Sequence, residues 1–247
     1  MRWRSPALEY LTLSALAACG RVGFVSDAGV DSGQADSRAV DAAMDASGDA
    51  VWTVVQTSGD FGQSAVVAPT GDGHLLVVAL ETLDDTATVV DNAPAGSSTF
   101  SLIAGGQCAS HADSSGIQLW YTADAHAGAT SIAATGAVGA VVAWEVAWPG
   151  QAMVETVGAL DDETASTLMT GPMLTVAQPH SFVIATVRAQ AFTLGLVAGS
   201  EYVMDTGPAG DGFAHLSPTA TTAPIALWDQ TVAAGYCTVS VAFAAAP

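Results

Sequence analysis

The sequence predicts an all-β protein: a single antiparallel β-sandwich, of the jelly-roll or immunoglobulin-like kind, preceded by a disordered tether. Three observations lead there. From Val51 onward, apolar runs of four to nine residues recur, rich in Val, Thr, Ile, Trp and Tyr, and Gly, Asp, Asn, Ser and Pro interrupt them. No stretch sustains a 3.6-residue apolar period for three turns, so no amphipathic helix is expected. Hydrophobic residues are 50% of the 247 and charged ones only 12%, which can bury a large core, and sandwiches of this length are often one domain.

The strands are expected, in chain order, near Trp52–Gln56, Ser64–Ala68, His74–Thr82, Ala87–Val90 and Thr99–Ala104. A second set falls near Ile117–Thr122, Thr130–Ala134, Ala140–Trp148, Leu168–Val176 and Ser181–Ala189, and a last group near Glu201–Met204, Ile225–Trp228 and Cys237–Phe243. Many short strands with close turns and no helices between them argue an antiparallel sandwich. Three runs look central. Leu75 to Leu80 shows no alternation, so both of its faces should be covered, and Phe182 to Val187 reads the same way. The third, Val141 to Trp148, is broken only by Glu145. In a strand, Val142, Trp144, Val146 and Trp148 share one face while Glu145 points to the other. Two domains divided near Pro149-Gly150 are the alternative, but nothing resembling a linker lies there.

Ahead of these strands, residues 20–50 are dominated by Asp, Ala, Ser, Gly and Val, with aspartates from Asp27 to Asp49 at four- or five-residue intervals. Such a segment cannot bury enough apolar surface to offset the entropy of ordering. As a coil it reaches roughly 30 Å, and fully extended about 100 Å. The aspartates lack the D-x-D-x-D-G spacing of a calcium loop and read as a solvated spacer.

At the start of the chain, Arg2 and Arg4 precede the short apolar run Leu8 to Ala18, the layout of a secretory signal, although Glu9 interrupts it. The run is shorter than the roughly 20 apolar residues of a membrane span. It ends in Leu16-Ala17-Ala18-Cys19, and on these residues the chain resembles a bacterial lipoprotein precursor over residues 1–19. The resemblance implies cleavage before Cys19 and lipid on its sulfur and new amino group. Several acyl chains would anchor the protein stably, which one alone does not. Gly20, rather than Asp, follows the cysteine, so the resemblance implies the outer membrane as destination. The expected organisation is a signal peptide over 1–18, a tether over 19–50 and the sandwich over 51–247.

A second, more diffuse resemblance covers residues 51–247. The strand His74 to Leu80, a strand ending in Asp91-Asn92, Leu119-Trp120-Tyr121 followed by Ala127-Gly128-Ala129-Thr130, and Val142 to Gly150 with its Glu145 look like a β-sandwich module of bacterial exported and phage-tail proteins. That module implies the fold and carries no single activity.

The formal charge is −19, there is no Lys, and the arginines are Arg2, Arg4, Arg21, Arg38 and Arg188. A nucleic-acid-binding surface needs clustered basic residues, which this chain cannot make. Of the three cysteines, Cys19 is assigned to lipid. Cys108 and Cys237 then remain, either as a disulfide in an oxidising compartment or as two separate buried thiols.

No cofactor or metal is expected. His74, His111, His126, His180 and His215 are widely spaced, without H-E-x-x-H or another close ligand pattern. His111 with Asp113, or His215 with Asp211, could meet at a metal, but solvated loop groups are the plainer reading. No G-x-S-x-G or phosphate-binding loop occurs. Gly71-Asp72-Gly73 and Gly210-Asp211-Gly212 read as turns needing positive φ. Asp84-Asp85 and Asp161-Asp162-Glu163 read as solvent-facing loop acids. Glu145 differs by context, because an acid inside an apolar strand is at a sheet edge, hydrogen-bonded inside, or functional.

The candidate ligand-binding residues are Trp148, Trp144, Trp120, Tyr121 and Glu145. Trp144 and Trp148 would stand about 13 Å apart on one strand face, a spacing that suits two sugar subsites, against the alternative of core packing. Trp148, beside Pro149-Gly150, is the one expected to be partly exposed. Together these features predict a lipid-anchored, non-catalytic envelope protein that binds a glycan or a surface protein. The rival is a glycoside- or polysaccharide-processing enzyme on the same scaffold, which would set Glu145 about 5 to 10 Å from a second carboxyl, Glu201 or Asp229.

Overall fold

A computed structural model describes residues 51–83, 85–108, 115–148, 150–176, 180–205, 210–217 and 225–245. The lipidation signal with Cys19, the tether, Asp84, Pro149 and the pair His111 and Asp113 lie outside the described residues. Among those described there are fourteen strands and no helix.

Five strands form the first sheet, in the order β1 (Thr53–Phe61), β8 (Val138–Ala147), β3 (Leu75–Thr82), β6 (Gly116–Thr122) and β5 (Ser101–Gln107). A small second sheet has β2 (Ser64–Val66), β7 (Ser131–Thr135) and β4 (Thr88–Asp91) in that order. The third sheet runs β11 (Thr193–Leu196), β14 (Leu227–Ala245), β10 (Phe182–Ala189), β13 (Gly212–Leu216) and β12 (Val203–Met204), with β9 (Ala152–Thr170) also paired to β14. Every strand pair is antiparallel.

The apolar runs explain the layering. On β3, Leu75, Val77 and Ala79 face the third sheet, while Leu76, Val78 and Leu80 face the small sheet. On β8, Val142, Trp144 and Val146 share the first side, and Val141 and Ala143 the second. On β10, Phe182 and Ile184 meet the first sheet, and Val183, Ala185 and Val187 pack beneath Leu174, Val176, Tyr202 and Trp228. The three runs without alternation are therefore the strands covered on both faces. The main core joins Leu75, Trp144 and Ile117 to Phe182, Phe213 and Phe243. Residues on both sides of position 149 share it, which overturns the two-domain alternative.

Three expectations need correction. The Leu168–Val176 strand exists only as the end of β9, and residues 171–176 cross over to cover the third sheet. The acids Asp161, Asp162 and Glu163, read as a loop, lie within β9. This 19-residue strand pairs among the described strands only with β14 and is largely exposed, so it carries no apolar stripe to betray it. Of the Ile225–Trp228 run only Leu227 and Trp228 are in a strand, and they belong with Cys237–Phe243 to one strand, β14, whose pairing with β9 is irregular between Asp229 and Tyr236. β11 and β13, each containing a glycine and very short, went unrecognised.

Candidate functional site

Trp144 and Glu145 are neighbours on β8 and point to opposite faces, and each ends at a carboxylate–imidazole pair. On the outer face, Glu145 is 2% exposed. His74 Nδ1 lies 2.5 Å from its Oε1, the Gly71 N–H donates to the same oxygen at 2.7 Å, and Gln56 Nε2 donates to Oε2 at 2.5 Å. Gln56 is itself held by the backbone of Ala68, donating to its carbonyl and accepting from its N–H. Burial pushes the Glu145 carboxyl up. The hydrogen bonds from His74, Gln56 and Gly71, with the charge of His74, outweigh that and hold it below the usual carboxylate range. The isolated acid of β8 is thus a satisfied internal ion that ties β1 and the segment before β3 to β8.

Gly71 has a local reason. A Cβ there would collide with the His74 ring, so the residue is glycine for space, whereas Gly73 has φ +70° and is glycine for conformation. The same division holds at Gly210, with φ +112°, and Gly212, whose Cβ would strike Val187 and Trp228. Positive φ therefore accounts for only one glycine of each pair.

On the inner face the Trp144 indole N–H donates to Asp205 Oδ2 at 2.8 Å, and His215 Nδ1 lies 2.8 Å from Asp205 Oδ1. The His215 ring centroid is 5.8 Å from that of Phe182, Phe182 is 5.8 Å from Trp52, and Trp148 stacks on Trp52 at 4.3 Å. Trp52 donates its indole N–H to the carbonyl of His180, whose φ is +64°. This aromatic row joins the ends of β8, β10 and β13 to the residue before β1. It reaches solvent at Trp148, which is half-buried, and at His215, whose side chain is 16% exposed.

A third polar cluster ties the first and third sheets together. Arg188 on β10 reaches Glu81 of β3 at 2.8 Å and Asp211, just before β13, at 3.0 Å. Burial pushes the Asp211 carboxyl up to about 7; Arg188 opposes this and the charge of Glu81 adds to it. Cys108, just after β5, and Cys237 of β14 also bridge these sheets. Their Cα atoms are 5.9 Å apart and their sulfurs are joined, beside a cleft of about 350 Å³ lined by Ile117, Ala159, Leu160 and Asp161.

The five candidate ligand residues do not converge. Trp144 is 0% exposed, so it has no ring face for a sugar, and the two-subsite reading of Trp144 and Trp148 fails because the strand face they share is the core. Tyr121 is half-buried on that inner face, its ring 5.8 Å from Phe243. Trp120 packs on the opposite side against the core beneath the small sheet, with its indole N–H on Gln118 Oε1. Glu145 is enclosed, and Trp148 alone combines a large ring with solvent contact next to other ligand-capable groups. The carboxyl pairs proposed for glycoside cleavage are not formed either. Glu145 lies on the outer face of the first sheet, while Asp229 is on β14 and Glu201 precedes β12, with the main core between. His215 pairs with Asp205 rather than Asp211, which belongs to Arg188. Among the described residues, no group of three His, Cys, Asp or Glu is placed to hold a metal ion.

Sequence reasoning missed His74, Gln56, Asp205 and His215 as partners. The one available signal was His74 directly after Gly-Asp-Gly at the head of a buried strand; Asp205 and His215 meet only through tertiary pairing of β12 with β13. No family model, no curated protein and no solved structure matches the chain.

Proposed function

We propose that the chain is a lipid-anchored protein of the bacterial cell envelope, carried on the outer membrane by Cys19. Its β-sandwich stands off the membrane on the acidic tether and binds a glycan or a surface protein without transforming it. The address rests on Leu16-Ala17-Ala18-Cys19 and the tether on the composition of residues 20–50. The observation that carries the binding role is the aromatic row Trp148, Trp52, Phe182 and His215. A half-buried indole at one end of a row of rings whose other end is a partly exposed imidazole suits a ring-shaped, hydroxylated ligand or an aromatic-bearing peptide. The ordered carboxylates support binding over catalysis, because Glu145, Asp205 and Asp211 are each occupied by an internal partner. The anchor is tested by fractionation. The wild-type chain should stay with the membrane through high-salt washing, and Cys19→Ser should leave it; retention of the variant after washing overturns the anchor.

A further inference from the structure

We propose that Arg188, Glu81 and Asp211 form a proton-dependent clamp between the two main sheets, closed in mildly acidic surroundings and loosened in alkaline ones. One guanidinium faces two carboxylates, Glu81 from β3 at 2.8 Å and Asp211 from the segment entering β13 at 3.0 Å. Glu81 lies on the same face of β3 as Ala79, and Arg188 on the same face of β10 as Ile184, so both project into the space between the sheets, where Asp211 meets Arg188. The side chains are only 17%, 15% and 3% exposed for Arg188, Glu81 and Asp211, in that order.

A single positive charge neutralises one carboxylate. A second one, enclosed beside it, is balanced only by a proton. The proton belongs on Asp211, the more deeply enclosed of the two, and its upward shift by burial and by the Glu81 charge agrees. Among the described residues, the charges that act on Asp211 are those of Arg188 and Glu81. Gly139 of β8, where a Cβ would sit 3.1 Å from the Glu81 carboxyl, contributes only space, and the backbone of Ala189 contributes a hydrogen bond. The partial exposure of Arg188 and Glu81 leaves a path for proton exchange with water.

The folded Asp211 holds its proton to about pH 7, while an unfolded one releases it near 3.8. Stability from this group is therefore complete below the unfolded value and lost as pH rises through the folded one. Between pH 5.5 and 8.5 the unfolding equilibrium constant should rise about thirtyfold on this account. An envelope domain facing a changing exterior would hold its sheets together least tightly on the alkaline side, at the β3–β10–β13 end.

The test uses the full chain, its Asp211→Asn variant and its Glu81→Gln variant, unfolded with denaturant from pH 5.5 to 8.5. Asn keeps an acceptor for Arg188 without the charge, so Asp211→Asn should lose the pH-linked rise, the other titrating groups being common to both proteins. Glu81→Gln leaves Arg188 to Asp211 alone and should move the transition to lower pH. Infrared difference spectra of wild type against Asp211→Asn should contain a protonated-carboxyl band at pH 6 that vanishes at pH 8.5. The proposal is overturned if wild type and Asp211→Asn change in parallel within threefold across the range, or if the protonated band is absent at pH 6.

Discussion

Replacing Glu145 with Leu removes the acceptor on which three donors converge: His74 Nδ1, Gln56 Nε2 and the Gly71 N–H. Leucine fills much of the volume, so the cost comes from the stranded donors rather than from a cavity. An unsatisfied buried donor costs about 1–3 kcal/mol. His74 has a side chain 17% exposed, so water can partly replace the acceptor there, and Gln56 keeps its bonds to Ala68. Taking the lower end for each donor gives about 3 kcal/mol. Glu145→Gln retains an acceptor oxygen and should cost about half of that. The assay is urea unfolding followed by tryptophan fluorescence, with His74→Ala and the double variant closing a cycle. The coupling between positions 74 and 145 should exceed about 1 kcal/mol, as expected for residues in contact. The network's pH dependence is opposite in sign to that of Asp211. The Glu145 carboxyl is lowered in the fold, so its stabilisation is present above the unfolded value and disappears as pH falls through the folded one. A Glu145→Leu protein within about 0.5 kcal/mol of wild type would refute the view that this ion organises the first sheet.

Gly71→Ala should reproduce much of that loss without touching a polar group, because its Cβ displaces the His74 ring; an unchanged His74 resonance in the variant would contradict this. Converting Cys108 and Cys237 to Ser should destabilise by up to about 4–5 kcal/mol in the chain-entropy model, with the apolar core still folding. Non-reducing mass spectrometry of a digest should find the two cysteine peptides linked, and free thiols at both positions would contradict the pairing. Trp144→Ala should cost at least about 3–5 kcal/mol, since it opens a cavity in the main core and strips Asp205 of its indole donor. A cost below about 1 kcal/mol would show that the ring is not packed as described.

The parts of the fold legible in the sequence were those where burial on both faces writes an apolar run with at most one polar interruption. Leu75 to Leu80, Val141 to Ala147 and Phe182 to Val187 are the clearest. The opposite-face placement of Trp144 and Glu145 was also legible, because strand geometry alternates without regard to what lies on either side. β9 was illegible for the converse reason. A strand at an exposed edge is under no pressure to alternate, and its acids look the same as those of a solvated loop. The site suffered from a different blindness. Local pattern ranks an indole by residue type, and only tertiary packing decides that Trp144 is enclosed while Trp148 keeps a solvent-facing surface. The partners of Glu145 come from 71 and 89 positions away, at His74 and Gln56, beyond any spacing rule.

The binding role of the sandwich is tested most directly by probing a glycan array and a panel of envelope proteins with the full chain and its Trp148→Ala variant, after confirming equal thermal unfolding. The account predicts at least one ligand held by wild type and lost, at least tenfold, in Trp148→Ala, with Trp120→Ala unaffected because that ring packs on the opposite face. Ligand binding undiminished in Trp148→Ala, or no ligand for the wild-type chain on either panel, would contradict it.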